Sequence, residues 1–265
     1  MNRRLVHEEN QNDPVRNQAR GAAASLPRTG TQWAAIPGEA PMLARILTQS
    51  MIGTAVMGIL LFGPAGTLDW PAAWAFLASM IVLGLGTALW LARSDPALLA
   101  ERMRPMMQAG QPRSDKIFML VFGLTAMAWF IVMGLEERTR ASAMPSAVHV
   151  FGLLMLTISM LAMAWAMREN TFAVAVVKLQ PERGQRVIDT GPYAFVRHPM
   201  YSAVALFFIG APLLLGSWWG LAMAALLIVL FAIRAVLEER TLLAGLPGYA
   251  DYVARVPARL IPGVW

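Results

Sequence analysis

Two short blocks of the sequence carry most of the residues whose side chains are suited to chemistry. The first, DTGPYAFVRHPMY, runs from Asp189 to Tyr201 and contains tyrosine, arginine and histidine. The second begins at Arg234 and ends with the paired acids Glu238 and Glu239. Each block borders an apolar stretch of membrane-spanning length, where ionisable groups are costly. The pattern therefore predicts a polar functional site at a membrane face.

The composition is that of an integral membrane protein. Of the 265 residues, 57% are hydrophobic and 14% are charged, which is unlike a soluble domain. The lack of cysteine excludes disulfides, thiolate metal sites and a cysteine nucleophile. A formal charge of +6 is common in nucleic-acid-binding proteins, but these basic residues lie in short loops between apolar stretches. We therefore expect no nucleic-acid partner.

Hydropathy divides the chain into three parts. Residues 1–42 have no sustained apolar period and no signal-peptide pattern, and are expected to form a disordered cytoplasmic tail. Residues 43–167 are expected to hold four transmembrane helices, and residues 168–265 the catalytic region. The six predicted spans cover about residues 43–62, 71–91, 117–135, 146–167, 199–215 and 217–243.

The last two of these spans are separated only by Gly216, which predicts a tight helical hairpin. Pro199 suits the first turn of the hairpin's first helix, where its missing N–H costs nothing. The predicted fold is an all-α, polytopic integral membrane protein. It has about five to six crossings, including this C-terminal hairpin, and a cytoplasmic cofactor pocket.

The basic residues also predict an orientation. Of the 22 Lys and Arg residues, all but Arg138 and Arg140 fall on one side of the proposed crossings. Cytoplasmic loops are enriched in Lys and Arg, so both termini and both polar blocks are expected in the cytoplasm. We expect the membrane to be the bacterial inner membrane.

Two polar links join the spans on that side. The link 93–116 predicts a loop with one short interfacial helix near residues 97–104. In the link 168–197, the run Phe172–Leu179 alternates too weakly to distinguish a short strand from an interfacial segment. Residues 181–184, Pro-Glu-Arg-Gly, predict a turn.

The sequence lacks the signatures of several enzyme classes. Gly84-Leu-Gly86 lies inside an apolar span without the third glycine of a dinucleotide fingerprint. HExxH, GxSxG and Walker patterns are absent, and three scattered histidines predict no metal site. These absences argue against a hydrolase or an ATPase.

The polar blocks have a specific order that resembles a known family. Gly191-Pro192-Tyr193 is followed by Arg197-His198-Pro199-Met200-Tyr201, by the hairpin, and by the RxxxEE block from Arg234 to Glu239. Leu246-Pro-Gly-Tyr249 and the ending RLIPGVW complete the pattern. From about Asn170 onwards the chain resembles the isoprenylcysteine carboxyl methyltransferases and their bacterial relatives. The resemblance implies a membrane-embedded methyltransferase that uses S-adenosylmethionine.

The resemblance also implies site residues. The catalytic residues would be Arg234, which would orient the methyl acceptor through a bidentate contact, and Arg197. The cofactor-binding residues would be Gly191, Pro192, Tyr193, His198, Pro199, Tyr201, Glu238 and Glu239. A cationic sulfonium and ammonium need acids, an adenine needs flat apolar surface, and a carboxylate would suit free N–H groups after Pro199.

Each of these residues also has a purely structural interpretation. The glutamates would be solvated acids that end a span, His198 a helix cap, and the tyrosines part of an interfacial belt. Arg234 would form an i,i+4 ion pair with Glu238. Glutamates near a helix C-terminus oppose the helix dipole, and a bound cation would relieve that conflict.

The acceptor and the reaction remain open at the level of sequence. A prenylated cysteine carboxylate, a lipid amine and a small thiol all fit a lipophilic substrate that arrives from the bilayer among membrane lipids. A membrane reductase of sterol-reductase-like architecture, which would bind NADPH, is the enzymatic alternative. A non-catalytic membrane scaffold is the alternative outside enzymes.

Overall fold

The computed structural model describes residues 42–108, 110–141 and 143–265, and this part of the chain is helical without strands. The predicted tail lies outside it except for Met42, which begins the first helix. The helices are α1 (Met42–Ala65), α2 (Pro71–Ser94), α3 (Pro96–Arg102), α4 (Arg113–Thr139), α5 (Ser146–Glu169), α6 (Pro199–Leu215), α7 (Trp218–Gly245) and α8 (Tyr249–Arg255). Two 3₁₀ turns cover Pro181–Arg183 and Gly191–Ala194.

Five of these helices, α1, α2, α4, α5 and α7, are long and apolar enough to cross a membrane. The sixth apolar helix, α6, has 17 residues and is therefore about 26 Å long, slightly short of a hydrocarbon core. Large apolar side chains such as those of Met51, Ile59 and Val82 are exposed on the outer surface, as expected for lipid-facing positions. The prediction of an all-α protein with five to six crossings is confirmed.

The hairpin between α6 and α7 is as tight as its sequence predicts. Gly216 has φ 77°, a left-handed conformation that ends α6 and that glycine adopts without strain. The Ser217 hydroxyl then accepts a hydrogen bond from the Gly220 N–H and caps α7. The two helices thus reverse direction within two residues.

Two glycines let α5 and α6 pack backbone against backbone. A Cβ atom added at Gly210 would lie 2.8 Å from the backbone nitrogen of Leu156, and one at Gly152 would collide with the backbone at Leu214. Small residues allow such close approach between membrane helices. The contact fixes α6, whose first residues carry part of the site.

The structure differs from the sequence analysis in the links between spans. Helix α4 begins at Arg113, not at residue 117, so Asp115 lies in its first turn. A carboxylate is favoured at this end of a helix by the helix dipole. The run 172–179, whose weak alternation fits either a strand or an interfacial segment, forms a loop without a strand. The short helix of the first link and the turn at residues 181–184 are both present.

Candidate functional site

A cavity of about 850 Å³, including open solvent at its mouth, lies at the end of the hairpin away from Gly216. Its wall is formed by residues 170–188, here named the cavity loop, by the start of α6, the end of α7 and α8. All four tyrosines of the chain line it: Tyr193, Tyr201, Tyr249 and Tyr252.

The paired acids at the end of α7 face different surroundings. The Glu239 carboxylate is buried in a cluster with three basic side chains, here named the Glu239 cluster. Its Oε1 lies 2.6 Å from Nε of Arg197 and 3.2 Å from Nε2 of His198, and its Oε2 lies 2.9 Å from Nε of Arg259. Glu239 is thus fully engaged by protein groups and is not part of the cavity lining.

The Glu239 cluster attaches the C-terminal segment to the base of the hairpin. Nη1 of Arg197 donates to the carbonyls of Val256 and Pro257, at 2.7 and 2.8 Å. The backbone N–H groups of Arg197 and His198 donate to the carbonyls of Ala258 and Arg259. Arg197, predicted from the resemblance to be catalytic, therefore has its guanidinium committed to holding this segment in place.

Glu238, by contrast, lines the cavity. Its side chain is 25% exposed, and its Oε2 accepts a hydrogen bond from the Tyr201 hydroxyl. The Tyr201 ring is stacked on the His198 ring with centroids 5.2 Å apart. Because Nδ1 of His198 is 4.0 Å from Glu238, beyond hydrogen-bonding distance, Glu238 is the acid available to a bound cation.

The start of α6 offers fewer free backbone donors than the sequence analysis expected. The N–H groups of Tyr201 and Ser202 both donate to the His198 carbonyl, at 3.0 and 3.1 Å. Pro199 has no N–H to contribute. Both donors are therefore used by the helix itself. The His198 side chain points to Glu239 and does not cap the helix.

Arg234 pairs with Asp115 of α4 and not with Glu238. Its Nε lies 3.0 Å from Oδ1 of Asp115, and its Nη2 donates to the Ala175 carbonyl at 2.7 Å. The guanidinium carbon lies 4.7 Å from the centroid of the Phe118 ring and 5.6 Å from that of Tyr201. This buried cation is therefore held by a carboxylate, a carbonyl and aromatic faces, and the sequence analysis did not identify Asp115.

Tyr249 is a second site residue that the sequence analysis left out of the site. Among the described residues its buried hydroxyl has no hydrogen-bond partner. Burial raises its pKa far above the ordinary range, with Glu239 and Glu238 adding to the effect, so the phenol stays neutral. A buried hydroxyl without a partner on a cavity wall suits a polar ligand atom.

Gly191 and Pro192 shape the site without lining it. Gly191 has φ 56°, and a Cβ there would lie 2.7 Å from Cδ of Glu169, so another residue would strain the backbone and displace the Glu169 side chain. Pro192 is buried in the following 3₁₀ turn. Together they place Tyr193, whose carbonyl accepts from the Tyr252 hydroxyl at 2.7 Å, on the cavity wall.

The described residues form long apolar helices with a charged cavity at their end, an arrangement typical of an integral membrane protein. Residues 147–246 match the family model Phospholipid methyltransferase (PEMT), and the chain carries a domain of this family of membrane methyltransferases, which includes the isoprenylcysteine carboxyl methyltransferases. The resemblance drawn from the sequence is confirmed. The matched region contains Arg197, Arg234 and both glutamates but neither Asp115 nor Tyr249. No curated protein matches the chain.

Proposed function

We propose that this membrane methyltransferase takes its methyl group from S-adenosylmethionine and transfers it to a lipophilic acceptor. The proposal rests on the different surroundings of the paired acids Glu238 and Glu239. Glu239 is neutralised inside the protein, whereas Glu238 faces the cavity with a tyrosine hydroxyl as its partner. Glu238 is therefore placed to bind a cationic ligand group.

The cavity wall fits the remaining parts of the donor. Tyrosine rings and the apolar side chains of Val176, Val187 and Leu242 offer flat apolar surface for a purine. The unpartnered Tyr249 hydroxyl suits a ribose hydroxyl or the carboxylate. When bound, S-adenosylmethionine supplies an electrophilic methyl group on a positively charged sulfur.

The residues of the chain would act mainly by positioning. Glu238 and the tyrosines would orient the donor, and Arg234, one turn earlier on the same face of α7, would orient the acceptor. The nucleophilic atom of the acceptor forms a bond to the methyl carbon as the carbon–sulfur bond breaks, and the electron pair of that bond remains on sulfur. A carboxylate or thiolate acceptor needs no base, whereas an amine would lose a proton to Glu238.

A small, narrow cavity beside the main one suggests how the acceptor reaches Arg234. Its empty volume is about 210 Å³ with open solvent included, and it is lined by Asp115, Phe118 and Leu237. It shares Arg234 and Glu238 with the main cavity. Because it lies between the apolar helices α4 and α7, we propose that the head group of an amphiphile enters here from the bilayer.

Most basic residues near the cavity are engaged by protein groups, which argues against an NADPH-dependent reductase; Arg186, exposed on the cavity wall, is the cation that this alternative could use. A 2′-phosphate would need free cations, yet Lys178 is 2.7 Å from Glu101, and Arg183 donates to Gln180 and to the Thr171 carbonyl. Arg197 is held in the Glu239 cluster. The acid that lines the cavity favours a cationic ligand over a phosphate.

The proposal is tested by calorimetric titration of the detergent-purified protein with S-adenosylhomocysteine and, separately, NADPH. We expect binding of S-adenosylhomocysteine only.

Glu238→Gln removes a charge-assisted contact and should weaken the binding of S-adenosylhomocysteine by about 1.5–3 kcal/mol, or ten- to a hundredfold. Glu182→Gln, in an exposed turn, is the matched control. Binding of NADPH alone would establish a reductase, and binding of neither a scaffold.

Turnover is measured with methyl-labelled S-adenosylmethionine and three acceptors in mixed micelles. Phosphatidylethanolamine offers an amine, N-acetyl-S-farnesylcysteine a carboxylate and dodecanethiol a thiol. Label in any one of these lipids identifies the class of acceptor. If none is labelled while S-adenosylhomocysteine binds, the lipophilic acceptor is wrong and the donor site stands.

A further inference from the structure

Asp115 is a buried carboxylate outside the region that matches the family model. Its side chain is 3% exposed, and it lies in the first turn of α4, where the helix dipole favours negative charge. Besides its ion pair with Arg234, it accepts hydrogen bonds from the Val177 N–H at 2.9 Å and from the Gln111 amide at 2.6 Å. One carboxylate therefore connects α4, α7 and the cavity loop.

The same contacts fix the orientation of Arg234. The Asp115 carboxylate forms an ion pair with the guanidinium, with Oδ1 3.0 Å from Nε but outside hydrogen-bonding geometry, and the Ala175 carbonyl accepts a hydrogen bond from Nη2. An ion pair at one nitrogen and a hydrogen bond at another restrict the orientation of the planar group. The rings of Phe118 and Tyr201 flank the group, and they leave it little freedom to turn.

The pair stands where the two cavities meet. Arg234 and Val177 line both the large cavity and the small one, and Asp115 lines the small one. A displacement of Arg234 would therefore change the relation between the proposed donor and acceptor positions. Rates of group transfer are sensitive to displacements of this kind, because the reacting atoms must be aligned.

We propose that Asp115 is a positioning residue: its carboxylate holds Arg234 in the direction that aligns the methyl acceptor, and it attaches the cavity loop to α4 in the same place. The inference rests on the proposed function. It gives the N-terminal half of the chain a part in catalysis, although the matched methyltransferase region lies in the C-terminal half.

The test compares Asp115→Asn and Asp115→Glu with Glu136→Gln, a buried carboxylate at the other end of α4. Whichever of the three acceptors the wild-type protein methylates serves as substrate. We expect Asp115→Asn to lower kcat by about ten- to a hundredfold, with S-adenosylhomocysteine affinity within about twofold. Asp115→Glu retains the charge and fold but displaces the carboxylate, and this variant should also lose turnover. The control variant Glu136→Gln should retain the turnover of the wild-type protein.

A double-mutant cycle with Arg234→Lys separates positioning from general support of the fold. If Asp115 acts through Arg234, the double variant Asp115→Asn/Arg234→Lys should be no slower than the slower single variant. Additive losses, or wild-type turnover in Asp115→Glu, would overturn the inference alone. If the wild-type protein binds no S-adenosylhomocysteine and transfers no methyl group, the proposed function and the inference both fail.

Discussion

A buried glutamate lies at each end of α7: Glu136 of α4 at its start, and Glu239 of α7 itself near its end. The two glutamates are stabilised in different ways. At the hairpin end, Glu136 accepts hydrogen bonds from the Ser217 hydroxyl and from the N–H groups of Trp218 and Trp219. At the cavity end, Glu239 is surrounded by basic side chains. The two residues are 6% and 5% exposed, so burial alone does not distinguish them.

The difference follows from the polarity of the helix. The N-terminus of α7 presents free N–H groups and a positive dipole end, so neutral donors can stabilise the Glu136 carboxylate. Glu239 lies six residues before the end of α7, where the helix has no free N–H groups to offer, and basic side chains neutralise it instead. Glu238, one residue earlier, lacks such a cluster and faces the cavity. The cavity end of α7 thus differs from the hairpin end in having a carboxylate, that of Glu238, which is not neutralised by basic side chains of the protein.

The largest effect is expected for Glu239→Gln. It leaves the buried Arg197 without its counter-ion, which typically costs about 3–5 kcal/mol. The thermal unfolding midpoint in detergent should fall strongly. A variant of wild-type stability that binds S-adenosylhomocysteine weakly would instead make Glu239 a cofactor ligand, as the sequence analysis predicted.

Glu136→Gln is the matched change at the other end of α7. The substitution replaces one carboxylate oxygen by an amide NH₂ group, which cannot accept hydrogen bonds from the N–H groups of α7. The loss should be about 1–3 kcal/mol. Affinity for S-adenosylhomocysteine should not change at temperatures where the variant is folded. A large loss of affinity would show that the two ends are coupled.

Tyr249→Phe should give a smaller effect, confined to ligand binding. The hydroxyl has no partner among the described residues, so its removal should leave stability unchanged or slightly raised. Affinity for S-adenosylhomocysteine should fall by about 0.5–1.5 kcal/mol. Tyr252→Phe is the contrast, because its hydroxyl donates to the Tyr193 carbonyl. That variant should lose stability, and equal behaviour of the two would contradict the assignment.

The smallest effect is expected from titration of the tyrosines. Burial is the main cause that raises the pKa of Tyr193, Tyr249 and Tyr252. A raised folded-state pKa gives stability that is fully present below the unfolded value of about 10 and declines as pH rises above it. Tyrosinate absorbance should therefore appear at higher pH in the folded protein than in the denatured one. Coincident curves would contradict the burial of the hydroxyls.

The sequence was sufficient to predict the spans, the hairpin and the two polar blocks. The hydropathy of a span depends only on local composition. The turn of the hairpin depends on two adjacent residues, Gly216 and Ser217. The sequence also placed Tyr193, Tyr201 and Glu238, which line one cavity. It did not distinguish the two glutamates, because successive residues of a helix point about 100° apart and packing sets the rotation of the helix.

The pairing of Asp115 with Arg234 shows most clearly what the local sequence pattern could not predict. In the sequence Asp115 is one charge in a polar link, and Arg234 has a nearer candidate partner in Glu238 at helical spacing. Only the packing of α4 against α7, with the cavity loop between them, brings Asp115 to Arg234. The sequence by itself determined the class of protein and the position of its two polar blocks. The tertiary structure decided which charges pair with each other and which face the cavity, because pairing depends on contacts between distant segments.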